Sequence, residues 1–144
     1  MKKELNIEQF HEVVQKEEML YLATSANDKV TMRIVSPLLV DDKIIFYTGS
    51  HSNKYKQMEV NSNVAGQIGN YQFEGVVTFL GYFDLPENER IKNLYKEKYV
   101  GAFEHFMPGE IKENIEFVEI SLAHVKAFIF EGEFPREEES FYEI

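Results

Sequence analysis

Two periods of hydrophobic residues run along the chain. Residues 7 to 17, "IEQFHEVVQKE", set Ile7, Phe10, Val13 and Val14 at the three- and four-residue spacing of a helix face, with Asn6 placed to cap the amino end. Period two takes over in "EMLYLATSA", "VTMRIVSPLLV" and "IIFYTG", which are separated by polar turns at residues 27–29 and 41–43; this predicts an antiparallel meander. In the middle run, alternation predicts that Val30, Met32, Ile34, Ser36, Leu38 and Val40 share the apolar face. Thr31, Arg33, Val35, Pro37 and Leu39 then share the other, so Arg33 points away from the most apolar face. Pro37 cannot donate to a ladder and marks an edge or a bulge, where nearby backbone is available to another partner.

Farther on, "NKYKQMEVN" predicts one or two helical turns opened by Ser52 or Asn53, with Tyr55, Met58 and Val60 facing inward. "NVAGQIGNY" and "FEGVVTFLGYFDL" predict two strands whose glycines suggest bulges or tight corners. Pro86 takes a favoured first helical position before "ENERIKNLYKEKY", and "GAFEHFMPGEI" reads as a broken helical connection. "IEFVEISL" and "HVKAFIFEG" alternate as a closing hairpin, and the tail "EFPREEESFYEI" reads as a solvated, locally ordered acidic extension. The sum is about seven strands with accessory helices. A small closed antiparallel barrel accommodates them, because closure removes exposed edges.

Composition narrows the chemistry. The 144 residues suit a single domain over 1–144, with an acidic tail from about 133, burying roughly 68% of its unfolded surface. No cysteine is present, which excludes disulfides, thiolate metal sites and a catalytic thiol and favours a cytoplasmic setting. The apolar stretches fall short of the roughly 20 residues that span a bilayer. A net charge of −10 argues against nucleic acid and anionic membranes as partners but leaves room for a small anion held by a few placed cations.

Candidate cations are Arg33 and Lys54. The turn "FYTGSHSNKYK" gathers Thr48, Gly49, Ser50, Ser52, Asn53 and Lys54 where a strand passes into a helix, and hydroxyls, a lysine and free helix-start amides are the parts of a phosphate cradle. The order of a P-loop is missing. A polar turn with an N-cap explains the same residues, and an exposed ion pair to a neighbouring glutamate would explain Arg33 alone. Together the pair is more informative, since the meander would set Arg33 on the strand beside the one feeding Lys54.

The order Arg-x-x-x-Pro, then "FYT", then Ser-x-Lys, then "N-x-N-V", then a strand ending Phe-Leu-Gly resembles the flavin-binding split-barrel family typified by pyridoxamine 5'-phosphate oxidase, over roughly residues 19 to 132. That resemblance implies a mainly β fold with accessory helices: an antiparallel split barrel of six to seven strands, homodimeric, with FMN at the subunit interface. It further implies that Arg33 and Lys54 bind the FMN phosphate with help from Ser52, Asn53 and Thr48. Backbone at Ile34, Val35 and Ser36 would flank the isoalloxazine, and Tyr47 would lie near the ribityl chain or phosphate. Phe128 stands where the oxidases place a flavin-contacting tryptophan, although a core or interface aromatic explains it equally well.

Three departures accompany the likeness. Asn53 stands where the oxidases usually carry a second cation. The acidic tail replaces their basic pyridoxine-binding segment, so pyridoxine phosphate is not the expected substrate. Val76 stands near a place usually held by a polar residue. His11, His51, His105 and His124 lie in separate elements without metal-ligand spacing, so no metal site is expected; His51, inside the proposed phosphate turn, could add a proton-dependent hydrogen bond. Residues 104–110 could form a lid or an ordinary connector. The resulting expectation is an FMN-dependent oxidoreductase with a small-molecule electron donor or acceptor and no assignable catalytic side chain. A flavin-storage or redox-sensing protein, or a haem or deazaflavin binder using the same cleft, is the alternative.

Overall fold

The computed structural model describes residues 3–106, 108, 110–130, 132 and 135–142. After the short strand β1 (Lys3–Glu4) comes helix α1 (Ile7–Lys16), capped by the Asn6 side chain, which accepts from the amides of Glu8 and Gln9. Phe10 and Val14 on its inner face are fully buried, each contributing about 1.5–3 kcal/mol through removal of apolar surface from water. β2 (Leu20–Ala26) and β3 (Lys29–Val35) form a hairpin with a two-residue turn. Asn27 and Asp28 both take positive φ, 51° and 65°, as the twist of a tight hairpin demands.

At Ser36-Pro37 the predicted continuous strand breaks. β4 (Leu38–Val40) leaves β2 and pairs instead with β5 (Lys43–Gly49). Helix α2 (Asn53–Val60) follows, then β6 (Asn63–Ile68) and the twelve-residue β7 (Tyr71–Tyr82). A 3₁₀ turn at Pro86–Asn88 leads into α3 (Glu89–Lys98), and a connection ending in a second 3₁₀ turn, Lys112–Asn114, leads to β8 (Ile115–Phe130). β9 (Pro135–Phe141) completes the sheet.

The ladder runs β1-β9-β8-β7-β6-β2-β3, with β5 also paired to β8 and β4 to β5. All pairs are antiparallel except β1 with β9. β8 holds β7 along one edge; its other edge is divided between β5 at the amino-terminal end and β9 at the carboxy-terminal end. This division splits the barrel. The ladder stays open between β3 and β4, so closure of the hydrogen-bonded ring is not observed.

Two predicted elements change. The closing hairpin is one sixteen-residue strand, β8, and the acidic tail is a strand, β9, whose Glu138 is buried. Of that tail, residues 133, 134, 143 and 144 lie outside the described residues, as do 107 and 109 of the lid or connector. One apolar cluster fills the space between α1 and the sheet, around Phe10, Leu20, Phe46, Phe73, Val118 and Ile120. A second, around Leu38, Ile45, Phe83, Tyr95 and Phe117, packs on the opposite face of β5 against α3. No helix of the described residues is long and apolar enough to cross a membrane.

Candidate anion-binding site

Strand β3 faces the opposite way from its predicted orientation. Val30, Met32 and Ile34 are 71%, 68% and 52% exposed, whereas Thr31 and Arg33 are half-buried toward α2. The hydrophobic stripe is therefore a surface, and Arg33 lies on the inner side. Nor is Arg33 on a strand beside β5, since among the described residues β3 pairs only with β2.

Arg33 is surrounded by acceptors. Its Nη1 donates to the Leu22 carbonyl at 3.1 Å and to Thr24 Oγ1 at 2.7 Å, and its Nη2 donates to Thr31 Oγ1. Thr24 and Thr31 are direct cross-strand partners in the hairpin, so both hydroxyls meet at one place. Above them, α2 contributes Gln57, whose Oε1 lies 2.6 Å from Thr24 Oγ1 and 2.5 Å from Thr31 Oγ1. Gln57 is buried and replaces Val60 on the inward face of α2; Val60 is exposed.

Lys54 precedes Gln57 by three positions and so lies on the same side of α2. Burial lowers its pKa, the positive charge of Arg33 lowers it further, and the Glu110 carboxylate opposes both. Burial likewise lowers the pKa of Arg33. Two half-buried cations thus share one electrostatic environment, with one carboxylate nearby. Tyr47, held edge-on against Tyr95 and Phe103, has its pKa raised by burial, then by the charge of Glu110 and by donating a hydrogen bond to it.

At the start of α2, Ser52 caps the helix by accepting from the Tyr55 amide at 3.2 Å, and its hydroxyl lies 2.9 Å from that of Thr48. The amides of Asn53 and Lys54 in this first turn have no carbonyl four residues back within the helix. Asn53 is exposed, as is His51. Ile34 is exposed on the outer face, Val35 is buried, and the Ser36 carbonyl accepts from the Tyr95 hydroxyl. Phe128 lies on β8, four strands from Arg33 in the ladder, and contacts Phe130; the single chain does not bring it to the cations.

Thr24, Thr31, Gln57 and Glu110 had escaped the sequence reading. The first two were within reach: a two-residue turn at Asn27-Asp28 fixes a register in which they face each other two pairs away from Arg33 and Leu22, on the same side of the hairpin. Gln57 had a weaker signal, its helical spacing from Lys54. Glu110 had none, because it arrives from a distant connection. Among the described residues no cluster of three His, Asp or Glu side chains could hold a metal ion.

No protein-family model matches the sequence, and no curated protein matches it. Solved structures do share its architecture. A protein of Listeria innocua provisionally assigned as a pyridoxamine 5'-phosphate oxidase is 14% identical, with a TM-score of 0.64 over 83% of this chain and 94% of that one. This is the pyridoxamine 5'-phosphate oxidase-like split-barrel fold. The same split barrel is found in an FAD-binding protein of Mesorhizobium loti (15% identity, TM-score 0.68, 84% of this chain and 92% of that one). It recurs in HutZ, a haem storage protein of Vibrio cholerae (12% identity, TM-score 0.65, 85% and 91%). Identities this low establish a common split-barrel fold.

Proposed function

We propose that this split barrel binds FMN as a homodimer and serves a two-electron oxidoreductase reaction with a small-molecule donor or acceptor. The observation that carries the reading is the convergence of Arg33 and Lys54. Two half-buried cations repel each other, and that repulsion is relieved when a phosphate dianion sits between them. Ser52, Thr48 and the first amides of α2 supply hydrogen-bond partners around the same place. Asn53 adds a polar side chain beside them rather than a further charge.

Bound FMN would supply two-electron chemistry at N5. The chain's own contribution is to fix the phosphate and to offer Ile34, Val35, Ser36 and Tyr47 along one side of the cofactor. Phe128 would approach from the second subunit, since it is remote within one chain. The exposed stripe of Val30, Met32 and Ile34, continued by Met19 and Tyr21, supplies the apolar surface that a second copy would cover. A haem-binding role is the second reading, favoured by the likeness to HutZ.

Titration of FMN against the purified protein, followed by flavin fluorescence, tests the reading. Saturable quenching and a rise in melting temperature are expected, both lost in the double variant Arg33→Ala/Lys54→Ala. A colourless protein that neither quenches FMN nor melts higher in its presence defeats the proposal. Parallel reconstitution with haem separates the two readings by absorption spectrum, and FMN-dependent oxidation of NADH or NADPH separates an enzyme from a storage protein.

A further inference from the structure

The hydrogen bonds around Arg33 have only one consistent direction. Gln57 Nε2 donates to the Lys29 carbonyl at 3.3 Å, which orients the amide and turns Oε1 toward the two threonines. That oxygen can only accept, so both hydroxyl protons point to it, from Thr24 at 2.6 Å and from Thr31 at 2.5 Å. With their protons committed, the threonine oxygens, 3.4 Å apart, present lone pairs to Arg33. Thr24 is 2% exposed and Gln57 6%, so water is kept from the bond between them, while Thr31 is half-buried.

A guanidinium carries five N–H donors in a fixed plane. Both protons of Nη1 are taken, by the Leu22 carbonyl and Thr24 Oγ1, and one proton of Nη2 is taken by Thr31 Oγ1. The two that remain, on Nε and on Nη2, lie along one edge of the plane. Among the described residues neither has a protein acceptor. Two parallel donors on one edge form the fork that matches two oxygens of a phosphate or carboxylate.

We infer that Thr24, Thr31 and Gln57 are positioning residues that clamp Arg33 so that its Nε–Nη2 edge, and no other, is offered to an oxyanion. The inference rests on the proposed phosphate site and adds its geometry and its supports. Gln57 acts twice, because the amide that orients the threonines also ties down the helix carrying Lys54. Both cations are thereby referenced to the β2–β3 hairpin. Lysine cannot replace Arg33 here, since a point charge has neither the fork nor the planar end that the threonines grip.

The test combines binding with nuclear magnetic resonance of the arginine side chain, using Thr31→Val, Thr31→Ser and Gln57→Leu in the full chain. The Arg33 Nε–Hε signal is assigned by its disappearance in Arg33→Ala. In the unmodified protein this signal should move downfield on titration with FMN and with inorganic phosphate, and separate Nη–H signals should be visible without ligand. Thr31→Val and Gln57→Leu should lose the separate Nη–H signals and bind FMN about 10-fold more weakly, the scale of one charge-assisted hydrogen bond; Thr31→Ser should bind within about 2-fold of the parent. Unchanged melting of Thr31→Ser keeps the comparison meaningful if Thr31→Val is unstable. Were phosphate to move the Nε–Hε signal while FMN did not bind, the FMN reading would fall and the clamp would stand. An Nε–Hε signal unmoved by either ligand, or a folded Thr31→Val with parental affinity, overturns the inference.

Discussion

The ammonium of Lys98 lies 2.7 Å from the carbonyl oxygen of Pro37, and it also donates to the carbonyls of Val14, at 2.9 Å, and Glu17, at 2.8 Å. One side chain at the end of α3 therefore ties together the end of α1 and the break between β3 and β4. Replacing it with methionine leaves the Val14 and Glu17 carbonyls without this donor. Lys98→Met should lower stability by about 1–3 kcal/mol, measured by urea unfolding. Burial brings the pKa of Lys98 down to about 8. Its folded value is thus below its unfolded one, so from pH 8 up toward the ordinary lysine range the unfolded chain holds more protons. The stability difference between parent and Lys98→Met should accordingly widen as pH rises through that window.

Gly66 has no room for a methyl group. A Cβ there would stand 2.4 Å from the Phe73 ring and 2.9 Å from the Tyr21 carbonyl. Gly66→Ala must displace a core aromatic or the neighbouring strand, at a cost of about 1–3 kcal/mol in thermal or urea unfolding. A melting temperature equal to that of the parent would contradict this packing.

Glu110 places a negative charge beside Lys54 and Tyr47. A phosphate arriving there meets that charge, so Glu110→Gln should tighten FMN binding, by about 10-fold at low salt and less at high salt, where screening is stronger. Isothermal titration at two ionic strengths checks both the direction and its salt dependence. The Tyr47 phenol, relieved of its charged acceptor, should titrate at lower pH in the same variant, read by ultraviolet absorbance.

Met32 and Ile34 should be interfacial. Met32→Glu/Ile34→Glu leaves the inner face of β3 untouched while placing charge on the outer stripe. Sedimentation should show dimers for the parent and monomers for the variant, with FMN affinity falling in parallel. A monomeric parent would remove the second subunit from the proposal.

Much of the fold could be read from spacing alone, and the places where it could not have physical causes. The α1 cap, the Asn27-Asp28 turn and the Ser52 cap were legible because each is a local arrangement of a few residues. The orientation of β3 was inverted because the hydrophobic-inside rule assumes that the largest apolar stripe belongs to the chain's own core. Val30, Met32 and Ile34 instead lie on the surface. The false hairpin near Ala123 has another origin. Glu74 pairs with His124 and Gly75 with Leu122, so Ala123 is an extra residue in a bulge; the alternation changes phase there without the strand ending. In the tail, Glu138 is buried with Arg136 at 3.4 Å, so a run of charges that suggests solvent conceals a strand. At the site, the cations were legible as residue types, but their meeting depends on α2 crossing the hairpin.

The divided edge of β8 also dictates the order in which the molecule can be made. A nascent chain lacking residues 115–130 leaves β5 joined only to the three-residue β4, and leaves β7 without one of its two neighbours. The pairs that join the two halves of the sheet are distant in sequence, from Tyr82 with Glu116 to Tyr71 with Ala127 for β7 with β8, and farther still, from Gly49 with Ile115 to Ile44 with Ile120, for β5 with β8. The early hairpin can form while synthesis proceeds, but the sheet around it cannot be completed until its last long strand has emerged. Until then the strands awaiting β8 expose unpaired backbone, and it is during this interval that the chain is most open to aggregation.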